Sequence, residues 1–111
     1  MMVDRGSVSA WRLTSRIARE RVRRIATDSE RLVWTEHMQQ RMVERGISTL
    51  DVLRILRDGE VEDTPVGARK PGDWRVKLVR RLDSGRVAGV VTVIASRDTL
   101  ILVTAEWEDG R

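Results

Sequence analysis

Apolar positions along the chain follow two periods, one helical and one alternating. In the leading segment Trp11, Ile17, Ala18, Val22 and Ile25 recur at spacings of three, four and seven, and arginines fill the rest of the circumference. That is one stripe of a helix. The spacing predicts a helix from Ser9, as N-cap, to about Ala26, ended by the turn-forming Thr27-Asp28-Ser29. Arg31 to Trp34 reads as a short strand. Thr35 caps a second helix from Glu36 to Arg45, with Met38 and Met42 in the core, and Gly46 stops it. Ser48 and Asp51 form a capping-box pair for a third helix that runs to Asp58, with Leu50, Leu53, Ile55 and Leu56 as its apolar face and Gly59 as its end.

The remainder reads as β. Glu60 to Thr64 is a short acidic strand, and residues 65–73, with both prolines, form a loop. From Trp74 to Leu82 the pattern alternates, with Trp74, Val76 and Leu78 on one face and Arg75 and Lys77 on the other. Asp83-Ser84-Gly85 is a hairpin turn. Val87 to Ala95 is apolar on both faces and reads as a central strand. A turn over Ser96 to Thr99 leads to a last strand, Leu100 to Trp107. The order predicts an α+β fold: an antiparallel four- to five-stranded sheet with two helices packed on it, plus an extra N-terminal amphipathic helix. The expected division is residues 1–30 as a helical extension and residues 31–111 as one domain.

Composition narrows the chemistry. The chain has 111 residues, enough for one modest core. It has no cysteine, which excludes disulfides, thiol catalysis and cysteine-bound metal, and its single histidine, His37, makes a His-rich metal site improbable. No metal or cofactor is expected. The longest apolar run is strand-sized, so no membrane span is expected. The first residues carry Asp4 and Arg5 and no apolar core of a secretory signal, and the expectation is a cytoplasmic, bacterial protein. The net charge of +4 is localised. Residues 1–27 hold seven basic and two acidic residues, and the rest is close to neutral. A basic helix suggests an anionic partner, although 19 of the 21 basic residues are Arg, a bias that high-GC genomes produce without function.

Residues 34–63 carry His37 at a helix start, Arg41-Met42, Glu44-Arg45-Gly46-Ile47-Ser48, Asp51-Val52 and Gly59. This pattern resembles the domain-of-unknown-function family 4258, and residues 101–107 resemble that family's closing strand. The likeness covers roughly residues 31–107 and leaves the front helix outside. In element order the family is similar to RelE- and BrnT-type toxins, so the resemblance implies a RelE-like fold. By analogy it also implies a small ribonuclease or ribosome-binding toxin of a toxin–antitoxin pair.

The residues allow such chemistry. Metal-independent RNA cleavage needs a base, an acid and cations around the phosphate. His37 supplies an imidazole that titrates near neutral pH. Arg41 and Arg45 follow at four and eight residues, on one helix face. Thr104 on the last strand is a third catalytic candidate, and Arg45, Arg75 and Lys77 are candidates for binding RNA phosphate. The structural alternative is that His37 decorates a helix start, that Arg41 and Arg45 pair with Glu44 or with the acidic strand, and that Arg75 and Lys77 form a solvated strand face. Core packing accounts for the four tryptophans.

The expected partners are accordingly RNA or the ribosome, or an acidic antitoxin-like protein, with a homodimer through the N-terminal helix as a further expectation. Two other functions compete. One is a non-catalytic protein-interaction domain using the N-terminal helix. The other is a helix-turn-helix over Met38 to Arg57, which Asp51, Asp58, Glu60 and Glu62 disfavour near phosphate.

Overall fold

A computed structural model describes residues 12–109. The elements are α1 (Ser15–Ile25), a 3-10 turn (Ser29–Arg31), β1 (Leu32–Trp34), α2 (Glu36–Arg45), α3 (Thr49–Asp58), β2 (Glu60–Gly67), β3 (Trp74–Arg81), β4 (Val87–Ala95) and β5 (Thr99–Trp107).

Local signals set the helix ends. The Thr35 hydroxyl accepts from the Met38 N–H, and Gly46 adopts φ 67°, the left-handed region that glycine tolerates best. Ser48 and Asp51 close a capping box on α3. α1 differs from the pattern-based expectation. Thr14 is its N-cap, accepting from the Ile17 N–H, so the helix begins at Ser15. Arg12 to Thr14 are not helical, while Ser9 and Trp11 lie outside the described residues. Ile17 is exposed, and Leu13, ahead of the helix, is buried in its stead.

The strands form one sheet in the order β1-β5-β4-β3-β2. β2, β3, β4 and β5 pair antiparallel, but β1 runs parallel to β5 with Leu32, Val33 and Trp34 opposite Leu100, Ile101 and Leu102. The sheet is therefore mixed. The two partners lie some 68 residues apart, and α2 and α3 are the first elements of the crossover between them. β2 also extends past Thr64 to Gly67. A bulge between Glu62 and Val66, with Asp63 at φ 63°, shifts the register and lets Pro65 into the strand.

All three helices pack on one sheet face. Ala18, Val22 and Ile25 of α1, Met38 and Met42 of α2, and Val52, Ile55 and Leu56 of α3 meet Val76, Leu78, Val90, Ile94, Leu100 and Leu102 in one core. In α3, Ile55 and Leu56 are buried as expected, but Val52 takes an interior place and Leu50 points out. α1 lies against β2 and α3. The Ser15 hydroxyl donates to the Asp63 carbonyl (3.2 Å) and Arg19 Nε to the Gly59 carbonyl (3.2 Å). The N-terminal helix thus shares its apolar stripe with the interior of residues 31–111.

Candidate functional site

β1 pairs with only the first half of β5, and α2 occupies the place beyond it. Thr35 Oγ1 donates to the Leu102 carbonyl (2.7 Å), Arg45 Nη1 to the Ala105 carbonyl (2.7 Å), and Trp107 Nε1 to the Arg45 carbonyl (2.7 Å). Arg45 is therefore engaged in holding α2 to β5. His37 and Arg41 each precede a buried methionine by one position, so they share one flank of α2. His37 is exposed and has no hydrogen bond or ion pair among the described residues. Arg41 forms an ion pair with Glu44 three residues on.

The sheet brings the strand candidates onto its helix-free face. In register, Glu62, Lys77, Val91 and Thr104 form one row across β2 to β5. Arg75 lies in the next row with Val66, Val93, Ile101 and Val33. Lys77 Nζ is held by three carboxylates, Glu106 (2.9 Å), Glu108 (3.0 Å) and Glu62 (3.2 Å). Partial burial works to lower the ammonium's pKa, but the hydrogen bonds that Lys77 donates to Glu106, Glu108 and Glu62 outweigh it and raise the group above its ordinary value. Gly89 makes room for the cluster, since a Cβ there would stand 2.6 Å from Glu108 Oε2 and 2.9 Å from Lys77 Cε. Three carboxylates around one ammonium leave a local excess of negative charge, which repels phosphate. Arg75 makes no ion pair among the described residues.

A second cluster escaped the sequence reading. Arg24 of α1 grips Asp98, in the β4–β5 turn, with both terminal nitrogens (3.2 and 3.4 Å). The hydrogen bond and charge of Arg24 hold the Asp98 carboxyl below its ordinary value, and Arg21 and Arg31 act in the same direction. Arg31 Nη1 also donates to the Arg97 carbonyl (3.1 Å) and pairs with Asp28 (3.5 Å). Three guanidiniums, those of Arg21, Arg24 and Arg31, thus act on Asp98, with Asp28 as the other carboxylate engaged. Arg24 and Asp98 lie 74 positions apart, and the only sequence signal was the charge density of the first helix.

A concavity lies elsewhere. An open groove of about 980 Å³ runs between α2 and α3, lined by Trp34, Met42, Val43, Ile47 and Leu53, with Ser29 at one end. Gln39 and Val43 each follow a buried methionine by one position, so the groove is on the flank of α2 opposite His37. Among the described residues, no set of three or more His, Asp or Glu side chains is placed to hold a metal, and no helix is long and apolar enough to cross a membrane. For the helix-turn-helix reading, α3 is the relevant element; α1 packs against it, and its Arg54 is paired with Asp83 at 2.6 Å.

A family model described as Domain of unknown function (DUF4258) matches residues 34–107. No curated protein and no solved structure matches the chain.

Proposed function

Since the chain belongs to the DUF4258 family, whose description assigns no activity, we propose that it is a non-catalytic interaction domain that engages an acidic protein partner through the arginines of α1 and the β4–β5 turn. The observation that carries this reading is the gathering of Arg21, Arg24 and Arg31 about Asp98. One carboxylate shared among several guanidiniums leaves donors and positive charge for a second anionic surface. Ala18, Val22 and Ile25 of α1 are spent on the chain's own core, so apart from the exposed Ile17 the helix offers a partner mainly its charged side.

A ribonuclease reading centred on His37, Arg41 and Thr104 has one observation in its favour, the exposed and unengaged imidazole of His37. Against it, Arg41 is neutralised by Glu44, Arg45 is tied to a backbone carbonyl, and Lys77 sits under three carboxylates. A cleaving site needs cations free to meet the phosphate as its charge grows.

The test is to incubate the purified chain with RNA in EDTA, with and without ribosomes, beside His37→Ala and Arg41→Ala, and to measure binding of labelled polyglutamate in parallel. The expected result is no cleavage, and salt-sensitive polyglutamate binding that Arg24→Glu weakens. RNA cut by wild type and spared by His37→Ala establishes the toxin-like reading instead.

A further inference from the structure

Among the described residues, the groove between α2 and α3 is open on its outer side. Val43 on its wall is 84% exposed, and Leu50, next to the groove-lining Thr49, is 59% exposed. Trp34, Met42, Ile47 and Leu53 line the same groove. The apex is the tight turn Gly46-Ile47-Ser48. The mouth is at Ser29 and Trp34.

What lies past the mouth identifies the occupant. Arg57 is one helical turn beyond Leu53, and its Nε donates to the Ala26 carbonyl (2.9 Å), three residues before Ser29. Arg23 follows on the same seam, with its Nε on the Arg57 carbonyl (3.0 Å). Neither guanidinium has a carboxylate partner among the described ion pairs. The α1 side of the mouth therefore carries the guanidiniums of Arg57 and Arg23. On the α2 side Glu30 and Glu36 are exposed and make no ion pair among the described residues, so an acidic chain leaving the groove is steered toward α1.

We infer that this groove receives the apolar stripe of an amphipathic helix whose chain continues into a carboxylate-rich stretch lying over α1. This deepens the reading of α1 as an acidic-partner surface and rests on it: the partner is one segment, apolar first and acidic after. A stripe of side chains at helical spacing fits an elongated apolar groove, as amphipathic helices do in other grooves. The rim arginines supply orientation and the apolar floor supplies affinity.

The test uses the full chain and three labelled synthetic peptides read by fluorescence anisotropy: a leucine-striped helix with a glutamate tail, the same helix with a glutamine tail, and the glutamate tail alone. Wild type is expected to bind the first peptide at least roughly tenfold more tightly than either of the others. Val43→Asp, at an exposed position that leaves the melting curve unchanged, is expected to reduce the first peptide to the level of the tail alone without altering binding of the tail. Arg24→Glu is expected to reduce it to the level of the glutamine-tailed helix. If Val43→Asp and Leu50→Asp both leave the first peptide unaffected, the groove is not its dock and the inference falls, while tail binding still speaks for the α1 surface. If the glutamine-tailed helix binds as well as the glutamate-tailed one, the acidic continuation is overturned. An RNA oligonucleotide that displaces the first peptide equally from wild type and from Val43→Asp puts nucleic acid on α1 and overturns it as well.

Discussion

Arg23 and Arg57 cap each other's helices: Arg23 Nε donates to the carbonyl of Arg57 at the end of α3, and Arg57 Nε donates to the carbonyl of Ala26 at the C-cap of α1. The last carbonyls of a helix lack intrahelical donors and carry the negative end of its dipole, so a guanidinium there stabilises twice over. Part of the arginine density in the first helix thus has a structural use that charge counting alone does not reveal.

The two arginines are not equivalent. Ala26 is buried, so removing Arg57 strands an acceptor where water has little access. Arg57→Ala is expected to cost about 1–3 kcal/mol, the range for an unsatisfied buried polar group. Arg23→Ala is expected to cost less than about 1 kcal/mol, as for a cation at an exposed helix end. Urea denaturation of the two variants decides it; equal costs, or a larger cost at Arg23, overturn the assignment.

Deleting residues 1–27 is expected to unfold the chain rather than trim an appendage. Leu13, Val22 and Ile25 are each almost fully buried, and Ala18 and Ala26 are too. Each large side chain contributes roughly 1.5–3 kcal/mol by burial, against a total stability of about 5–15 kcal/mol for a typical domain. The check is a cooperative thermal transition by circular dichroism. A truncated chain that melts cooperatively near the full-length temperature means that residues 28–111 fold alone.

What the residues reveal in advance divides by sequence distance. Thr35, Gly46 and the Ser48–Asp51 pair act within one helical turn, so their roles are visible in the chain itself. The alternation of β3 and the all-apolar β4 are local in the same sense. The parallel β1–β5 pair is not, because three residues carry no signal of which strand they will meet. The bulge at Asp63 is equally hidden, since a proline after an acidic run reads as a loop until β3 is there to pair with it. At the candidate site, the helix spacing of His37, Arg41 and Arg45 and the shared strand face of Arg75 and Lys77 were legible. The Glu106–Lys77–Glu62 contacts depend on sheet register, and Arg24–Asp98 on how α1 crosses the sheet.

The Lys77 cluster makes stability depend on pH in a specific way. Its folded-state pKa lies above the ordinary 10.5, so the stability it contributes is fully present below that value. That contribution declines as pH rises above the ordinary value and is gone once pH passes the higher folded one. In Lys77→Met the three carboxylates repel one another at neutral pH, and protonating them on acidification relieves the repulsion. Melting temperatures taken from about pH 4 to about pH 11 are therefore expected to show the variant closing its gap with wild type toward acid, where its carboxylates gain protons. They are also expected to show it lacking part of the wild type's alkaline decline. Parallel curves for the two proteins rule out a coupled cluster.

Gly59 and Gly46 both end helices, but for different reasons, and alanine separates them. Gly46 has φ 67° and nothing within 4 Å of a Cβ placed on it, so Gly46→Ala meets only the left-handed backbone penalty, about 1–2 kcal/mol. Gly59 has φ −78° and ψ 172°, which any residue adopts. Its constraint is space: a Cβ there collides with the Ile55 carbonyl and stands 2.9 Å from the Val79 carbonyl. Both are backbone atoms, one in α3 and one in β3, and neither yields without moving an element that carries the core. Gly59→Ala is expected to destabilise by more than about 2 kcal/mol, beyond the usual range for a glycine-to-alanine change at a permitted conformation. Denaturant midpoints of the two variants measure this directly, and a Gly59→Ala protein as stable as Gly46→Ala shows that α3 can shift away from β3 at little cost.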